Sequence, residues 1–359
     1  MPTPEKEKPR QKLVVLPEFC THAAGSECTR CRHCCPHGAI SLPDDLKPPK
    51  VDHGLCSGCG ICFGVCDAFA STRMSLFDLH ARIRRIASDG ERVYLTCNEN
   101  VFPGFEVDHN VVVLPCLSML SPELWTLVLA EGIRMTIACD LKYCEDCSRG
   151  GDLGGELFAR AVEIAEERTG EKVLFTFRIP EKKSLIGKYA ENGTSDRRDV
   201  FTGFAVDAAE IATGKRRLRN SEVLKDYYQR KERQRAAMRL HLASESPYGT
   251  VVPAGKRKRL MFPKQQLVLE SIDARPDIAS CIPVALSCTD HSSCTLSGEC
   301  ASACPTGARC VDDGAVKVDA HFCIGCGICV DTCEQGACSI EEDDATALLP
   351  DNANKPREI

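Results

Sequence analysis

Strand-like and helix-like patterns alternate over residues 76–180. Leu79, Ile83 and Ile86 recur at helical spacing, and a second amphipathic pattern lies over 157–165. Repeated strand, helix, strand units predict a parallel sheet with helices packed on its faces. Short apolar runs of strand length cover 93–97, 111–114, 134–138 and 173–177, and a further helix is expected over 122–130.

The chain of 359 residues contains 25 cysteines in three groups, over 20–66, 97–147 and 281–338. The odd count and the length argue against a small secreted disulfide scaffold. The start of the chain is charged and proline-rich, so no export signal is expected, and no apolar run approaches a membrane span. These features predict a protein of the reducing cytoplasm, in which clustered thiolates are metal ligands.

The first and third cysteine groups repeat one plan. The motif VDHGLCSGCGICFGVC contains Cys56-x2-Cys59-x2-Cys62-x3-Cys66, and VDAHFCIGCGICVDTC contains Cys323-x2-Cys326-x2-Cys329-x3-Cys333. A looser half precedes each motif and ends in Cys-x3-Cys-Pro, at Cys35 and at Cys304. Four thiolates at these short intervals are typical of iron-sulfur ligation. Structural zinc is the alternative, but it usually takes two well-separated cysteine pairs.

Both groups resemble bacterial two-cluster ferredoxins, over 19–70 and again over 287–340. The resemblance implies cross-connected ligand sets, because the last cysteine of each half binds the cluster of the other half. The early cysteines of each group are less regularly spaced, and Cys34 competes with Cys31 as a ligand. Cys31 is preferred because it lies four residues before Cys35. In the other group Cys300 likewise lies four residues before Cys304. The implied sets are Cys20, Cys28, Cys31 and Cys66; Cys56, Cys59, Cys62 and Cys35; Cys288, Cys294, Cys300 and Cys333; and Cys323, Cys326, Cys329 and Cys304.

The second cysteine group lies at the ends of the predicted parallel strands, at Cys97, Cys116 and Cys139. The carboxyl ends of parallel strands meet at one edge of a sheet, so these thiols are expected to converge. Cys144 and Cys147 complete Cys139-x4-Cys144-x2-Cys147, a spacing found in plant-type ferredoxins. A fifth metal centre is therefore expected; the alternative is that some of these cysteines are ordinary buried thiols.

The motifs TCNEN, LPCLSMLSPEL and ACDLKYC, within 93–151, resemble the delta subunit of methyl-viologen-reducing hydrogenase. That family is an electron-relay domain with one [2Fe-2S] cluster that works with heterodisulfide-reductase-type flavoproteins. The resemblance implies Cys97, Cys116, Cys139 and Cys144 as ligands. Asn100 stands where the family has a cysteine and Cys147 is additional, so a [2Fe-2S] and a [4Fe-4S] cluster both stay open.

Residues 215–264 hold 15 Lys and Arg against four acidic residues. Few aromatic residues accompany them and the formal net charge is −6, so no nucleic-acid partner is expected. A solvated linker helix around 222–242 is expected instead.

The fold class is α+β ferredoxin-like modules flanking a central α/β domain. The predicted divisions are 13–75 and 276–342 for the two modules, 76–180 for the central domain, 181–275 for the basic linker and 343–359 for a tail.

These patterns predict an electron-transfer subunit with four [4Fe-4S] clusters and a fifth iron-sulfur cluster, rather than a stand-alone enzyme. The expected partner is a redox protein, namely a flavoprotein, a molybdoenzyme or a hydrogenase-type subunit, in an anaerobic setting. One alternative is an iron-sulfur oxidoreductase whose central cysteines reduce a substrate directly. A weaker alternative is a zinc-binding scaffold.

Overall fold

The computed structural model describes residues 13–43, 46–71, 74–182 and 259–349. Contacts divide the chain into a large unit (Met1–Pro103, Asn110–Ile179 and Arg257–Ile359) and a small one (Gly104–His109 and Pro180–Lys256). In the described part of the small unit, Val107 forms an antiparallel bridge with Glu181. The linker helix expected around 222–242 lies outside the described residues.

Two antiparallel strand pairs and two short helices form the N-terminal part of the large unit. The first and last strands pair, with Val15 opposite Phe69, and this closure brings the two halves of the cysteine pattern together. The second pair places Ile40 opposite Val51. The elements are β1 (Leu13–Val15), α1 (Arg30–His33), β2 (Ile40–Ser41), β3 (Lys50–Val51), α2 (Ile61–Val65) and β4 (Phe69–Ser71).

A four-stranded parallel sheet follows, and it confirms the mixed α/β class and the small parallel sheet predicted from the sequence. The first helix begins with a capping box in which Ser75 and Asp78 exchange hydrogen bonds. The elements are α3 (Leu76–Ser88), β5 (Val93–Cys97), β6 (Val111–Leu114), α4 (Pro122–Ala130), β7 (Met135–Ala138), α5 (Gly151–Thr169) and β8 (Leu174–Thr176), and the strand order is β6-β5-β7-β8.

The C-terminal part contains two more antiparallel pairs. The outer pair places Thr289 opposite Cys338, and the inner pair places Arg309 opposite Val318. The elements are α6 (Pro263–Ala274), β9 (Pro283–Thr289), α7 (Glu299–Ala303), β10 (Arg309–Asp312), β11 (Ala315–Val318), α8 (Ile328–Thr332) and β12 (Cys338–Asp344). The order of strands and helices from β9 to β12 matches that from β1 to β4.

One buried core continues from the N-terminal strands into the central sheet and includes Phe69, Leu95 and Trp125. A second core holds the C-terminal part together and includes α6. Helix α6 lies in the segment assigned to a linker by sequence, yet it packs against α4. The Lys264 Nζ atom also lies 3.2 Å from an Asp67 carboxylate oxygen. The C-terminal part is therefore docked directly on the remainder of the large unit.

Across the described residues, the helices are too short or too polar to cross a lipid bilayer.

Candidate metal centres

Four cysteines of the N-terminal part converge into a group, here called the first outer set. Cys20 follows a 3₁₀ turn after β1, Cys31 lies in α1 and Cys66 ends α2. Burial, followed by repulsion from three nearby cysteines, raises the pKa of Cys31 to about 12. Those neighbours are Cys66, Cys28 and Cys20. The fold thus gathers the set implied by the cross-connected ferredoxin pattern.

The other four cysteines implied for this half line one pocket, here called the first inner set. Burial strongly raises the pKa of Cys62, and neighbouring thiols including Cys59 and Cys56 raise it further. The backbone N–H of Ala39 donates to the sulfur of Cys35 at 3.3 Å. The pocket holds Cys35, Cys56, Cys59 and Cys62 together.

Cys34 lies between these two sets. Burial raises the pKa of its thiol to about 12, and repulsion from Cys31, Cys35, Cys66 and Cys59 contributes. Its S–H donates to the backbone carbonyl of Cys31 at 3.3 Å. The thiols beside Cys31 all belong to the first outer set, whereas those beside Cys34 belong to both sets, so the placement favours Cys31 over Cys34 as the ligand of the first outer set.

Cysteines 304, 323, 326 and 329 form a second inner set in the C-terminal part. Burial raises the pKa of Cys326 to about 11, and repulsion from Cys304, Cys329 and Cys323 adds to the rise. Ser287 on β9 contacts this set twice. Its backbone N–H lies 3.3 Å from the Cys323 sulfur, and its hydroxyl lies 3.1 Å from the Cys329 sulfur.

The remaining cysteines of this half are only partly gathered as the resemblance implied. Cys294 and Cys333 pack against a buried group that contains Cys300 and Cys338. Cys288 lies within β9, opposite Ser339 of β12, and is not a member of that group. Cys338, assigned no role from the sequence, thus lies among the implied ligands. The name second outer set is used here for Cys294, Cys300 and Cys333 together with a fourth cysteine, either Cys288 or Cys338.

The central cysteines converge at the carboxyl edge of the parallel sheet. All five line one pocket, which Asn100 also lines: Cys97, Cys116, Cys139, Cys144 and Cys147. Cys97 ends β5, and Cys139 directly follows β7. The expected convergence of these strand ends is therefore found.

Asn100 joins two of the central cysteines. Its side-chain N–H groups donate to the sulfur of Cys97 at 3.0 Å and to that of Cys139 at 3.1 Å. The Asp140 backbone N–H donates to the Asn100 carbonyl oxygen and fixes the amide orientation. Hydrogen bonds from Cys139 and Asn100 lower the pKa of Cys97 to about 6. Asn100 therefore supports two cysteine sulfurs of the central set.

Glycines after Cys147 leave space for the central sulfurs. A Cβ atom on Gly150 would lie 3.1 Å from the Cys116 sulfur, and one on Gly155 would lie 3.3 Å from Cys144 Cβ. The start of α5 therefore passes close to the pocket.

The first inner set and the central set are neighbours. Ile61 of α2, which lies between Cys59 and Cys62, packs toward Gly150 and Gly154 beside the Cys116 sulfur. Helix α2 approaches the 3₁₀ turn Leu117–Met119 so closely that a Cβ atom on Gly64 would lie 2.4 Å from the Ser118 carbonyl oxygen.

Arg149 connects these two sets at their rim. Its guanidinium pairs with Glu99 at 2.9 Å and donates to the Ser57 carbonyl at 3.4 Å. Its own carbonyl accepts from the Ser57 hydroxyl and lies 2.9 Å from the His37 ring nitrogen. The loops that carry the two sets are thus held together by several polar contacts.

The donor chemistry fits iron-sulfur clusters. Every side chain gathered in the four sets described in full is a cysteine, and Cys62, Cys97 and Cys139 are buried. Within the described residues, no three metal-binding side chains meet at the spacing of a single ion. A cluster binds each thiolate through a different iron, so its ligands lie farther apart than those around one zinc ion.

The buried thiols predict how pH affects the metal-free chain. The pKa values of Cys31 and Cys34 are raised to about 12, so the folded state keeps protons that the unfolded state releases near pH 9. The free energy of unfolding of metal-free protein should therefore fall between about pH 9 and 12. Urea titrations at pH 8 and 10 measure this effect. Equal midpoints at both values would contradict the burial of these thiols.

Comparisons with known proteins give one informative similarity. The chain is 41% identical over 66 residues to isethionate sulfite-lyase activating enzyme from Desulfovibrio desulfuricans (strain ATCC 27774 / DSM 6949 / MB). The aligned region covers 18% of this chain and 20% of the enzyme, so the chain spans about a fifth of the length of this curated relative. No protein-family model matches the sequence. No solved structure matches the chain.

Proposed function

We propose that the chain is an iron-sulfur electron-transfer subunit that holds about five clusters and exchanges single electrons with a redox partner. The observation that carries the proposal is the adjacency of two thiol sets: helix α2, which contains Cys62 of the first inner set, packs against the turn that follows Cys116 of the central set, where a Cβ atom on Gly64 would lie 2.4 Å from the Ser118 carbonyl oxygen. Electron transfer between centres requires short separations, and this contact supplies one. The four cross-connected sets take [4Fe-4S] clusters, and the central set takes a [2Fe-2S] or [4Fe-4S] cluster.

Two resemblances support this proposal. Strands β1 to β4 and β9 to β12 pair in the same order, first with last and second with third, which suits two copies of a dicluster ferredoxin module. The central parallel sheet with cysteines at its strand ends suits a domain like the hydrogenase delta subunit. The 66-residue similarity to the activating enzyme is close in length to one such module.

The chain's own residues control the environment of the bound centres. Burial of Cys31, Cys62 and Cys323 excludes water from the thiols, and hydrogen bonds from Asn100 and Ser287 hold particular sulfurs in place. Bound clusters supply one-electron oxidation and reduction, with potentials adjusted by such hydrogen bonds and by burial. The proposed electron donor or acceptor is a flavoprotein, a molybdoenzyme or a hydrogenase-type subunit in an anaerobic cytoplasm.

A second candidate function is direct reduction of a substrate at the central set. The central pocket contains five cysteines, one more than a cluster with four thiolate ligands needs, and the exposed Leu141 and Tyr143 lie along its lining. This function requires an exogenous ligand to reach the centre. Cyanide added to isolated protein should then change the electron paramagnetic resonance (EPR) spectrum of the central cluster; an unchanged spectrum supports the relay.

Metal analysis tests the proposed function. Anaerobically purified protein should contain about 18 to 20 irons per chain with matching acid-labile sulfide. The substitutions Cys59→Ser and Cys326→Ser should each remove about one cluster's iron, because the two residues belong to different inner sets. Iron and sulfide are measured in all variants by colorimetric assay, and zinc by mass spectrometry.

The control is Cys281→Ser, which changes an exposed cysteine outside all the sets and should keep the full iron content. Protein that contains mainly zinc and no sulfide would overturn the proposed function and support the scaffold alternative. Loss of all iron from either single substitution would contradict separate modules.

A further inference from the structure

The two halves of the chain can be compared position by position through equivalent backbone hydrogen bonds. The Leu16 N–H donates to the Ala68 carbonyl at 2.7 Å, and the Asp290 N–H donates to the Ala337 carbonyl at 2.9 Å. Each bond follows the pairing of a first strand with a last strand. Leu16 therefore corresponds to Asp290, and counting four residues on makes Cys20 the equivalent of Cys294.

The inner strand pairs give a second reference. The Asp52 N–H donates to the Ala39 carbonyl at 2.8 Å, and the Asp319 N–H donates to the Ala308 carbonyl at 2.9 Å. The next residues, Ile40 and Arg309, are consequently equivalent.

This register shows that four apolar positions of the N-terminal half are polar in the C-terminal half. In the N-terminal half all four side chains belong to, or pack against, the shared hydrophobic core. Their counterparts contact one another, so the exchange is concerted. Leu13, Val15, Ile40 and Phe69 correspond to Ser287, Thr289, Arg309 and Cys338, here called the polar quartet.

Arg309 is the centre of the polar quartet. Its side chain is 3% exposed and donates to the Ser287 hydroxyl, to the Thr289 hydroxyl at 2.6 Å and to the Cys338 sulfur at 3.2 Å. It also donates to the Cys288 carbonyl at 3.3 Å. The guanidinium is thereby fixed against the second outer set.

A buried guanidinium needs a negative partner, because burial of an unpaired charge is strongly unfavourable. Among the described residues, no carboxylate acts on Arg309, and its Nε atom has no hydrogen-bond partner. The groups able to become negative beside it are thiols: Arg309 donates to the Cys338 sulfur, and Cys300 and Cys329 belong to the same buried group as Cys338. The buried charge and the unpartnered Nε–H therefore point to an anionic ligand held by these cysteines.

The second outer set lacks one cysteine at the equivalent positions. Cys294 and Cys300 match Cys20 and Cys31, but Ser297 stands three residues before Cys300, where the N-terminal half has Cys28. A fourth thiolate must come from elsewhere in the chain.

Cys338 supplies that thiolate better than Cys288. Cys338 shares a buried group with Cys300, and Cys333 and Cys294 pack against that group. Cys288 lies between Ser287 and Thr289, whose side chains both hold Arg309. Successive side chains of a strand face opposite ways, so the Cys288 side chain faces away from Arg309.

We infer that the second outer set binds its cluster through Cys294, Cys300, Cys333 and Cys338, with Arg309 as the buried countercharge that distinguishes this site from the first outer set. The inference rests on the proposed function and deepens it. The cationic side chain stabilises the additional negative charge of the reduced state, so this centre has a higher reduction potential than it would have beside an apolar residue.

Two single-cysteine variants of the full chain test the ligand assignment. Cys338→Ser should lose about four irons per chain relative to wild type, whereas Cys288→Ser should keep the wild-type iron and sulfide content. The opposite result, loss in Cys288→Ser with retention in Cys338→Ser, overturns the inference while leaving the proposed function intact. Wild-type protein without iron and sulfide overturns the proposed function itself, and the inference with it.

A second variant covers the case in which Cys338→Ser fails to fold. The combined changes Thr289→Val, Arg309→Ile and Cys338→Phe install apolar residues that the N-terminal half carries at the same register, and they leave unchanged Ser287, which contacts the second inner set. This variant should fold and lose one cluster's iron. Retention of the complete iron content would overturn the inference.

The role of Arg309 is tested by redox titration monitored by EPR. Arg309→Ile should lower the midpoint potential of one centre and leave the others unchanged, and Arg309→Lys should largely restore it because the positive charge is kept. A purely structural role would not give this dependence on charge. Equal potentials in wild type and Arg309→Ile would overturn the countercharge assignment.

Discussion

Asn100→Asp is expected to remove metal from the central set, with at least a tenfold loss of metal affinity. The side-chain N–H groups of Asn100 donate to the sulfurs of Cys97 and Cys139. A carboxylate of the same shape has no N–H group to donate, and its negative charge repels both thiolates. Loss of a residue that orients metal ligands typically weakens binding tenfold to a hundredfold. Iron per chain and the EPR spectrum of the central centre measure the effect.

Asn98→Asp is the matched control, because Asn98 lies in the same 3₁₀ turn, Asn98–Asn100, but is exposed. The same change of charge at that site should leave iron content unchanged. Equal iron in the two variants would show that the hydrogen bonds from Asn100 do not support the central set.

The central fold was predictable because its signals are local. The run of apolar residues 111–114 is strand β6, and helix α4 covers Pro122–Ala130 as expected. Parallel topology then follows from the alternation of strands with helices, since parallel strands need a crossover connection. The convergence of Cys97, Cys116 and Cys139 required only that topology, because parallel strands end at one edge.

The membership that we infer for the second outer set was harder to predict, because it depends on long-range pairing. Cys288 fits the cysteine spacing of the sequence, but the pairing of β9 with β12 places it opposite Ser339, one residue before the end of β9. The same pairing brings Cys338 to Thr289 and Arg309. Comparison of the two halves does give one indication that this site differs, because the buried Arg309 stands where the other half has Ile40.

Asn100 shows a different limit of prediction from the sequence. Its position matched a missing cysteine of the hydrogenase family, so the sequence indicated a lost ligand. The structure shows a donor to two sulfurs, a role that depends on the turn geometry after β5 and on the Asp140 N–H that orients the amide. Spacing along the chain does not contain that orientation.

The close approach of α2 to the central domain predicts a large effect of Gly64→Ala. The new Cβ would lie 2.4 Å from the Ser118 carbonyl oxygen and 3.0 Å from that of Met119, both backbone atoms that no side-chain rotation can move. Helical backbone at this position accepts alanine, so the cost comes from the collision. Excess volume at a packed contact costs about 1–3 kcal/mol of the free energy of unfolding. Urea unfolding of the iron-loaded protein measures this loss.

Gly64→Ala should also weaken communication between centres, and this separates it from an ordinary packing defect. Gly64 lies between Cys62 and Cys66, and Ser118 lies two residues after Cys116, so relief of the collision must move the first inner set away from the central set. The magnetic interaction between the two reduced centres should therefore decrease while iron content stays constant. Asp331→Ala is the control. Asp331 lies in α8 two residues after Cys329, as Gly64 lies two residues after Cys62, but its side chain is exposed. This substitution should change neither stability nor coupling. If coupling persists in Gly64→Ala despite lower stability, the contact of α2 with the turn after Cys116 does not set the separation of these two centres.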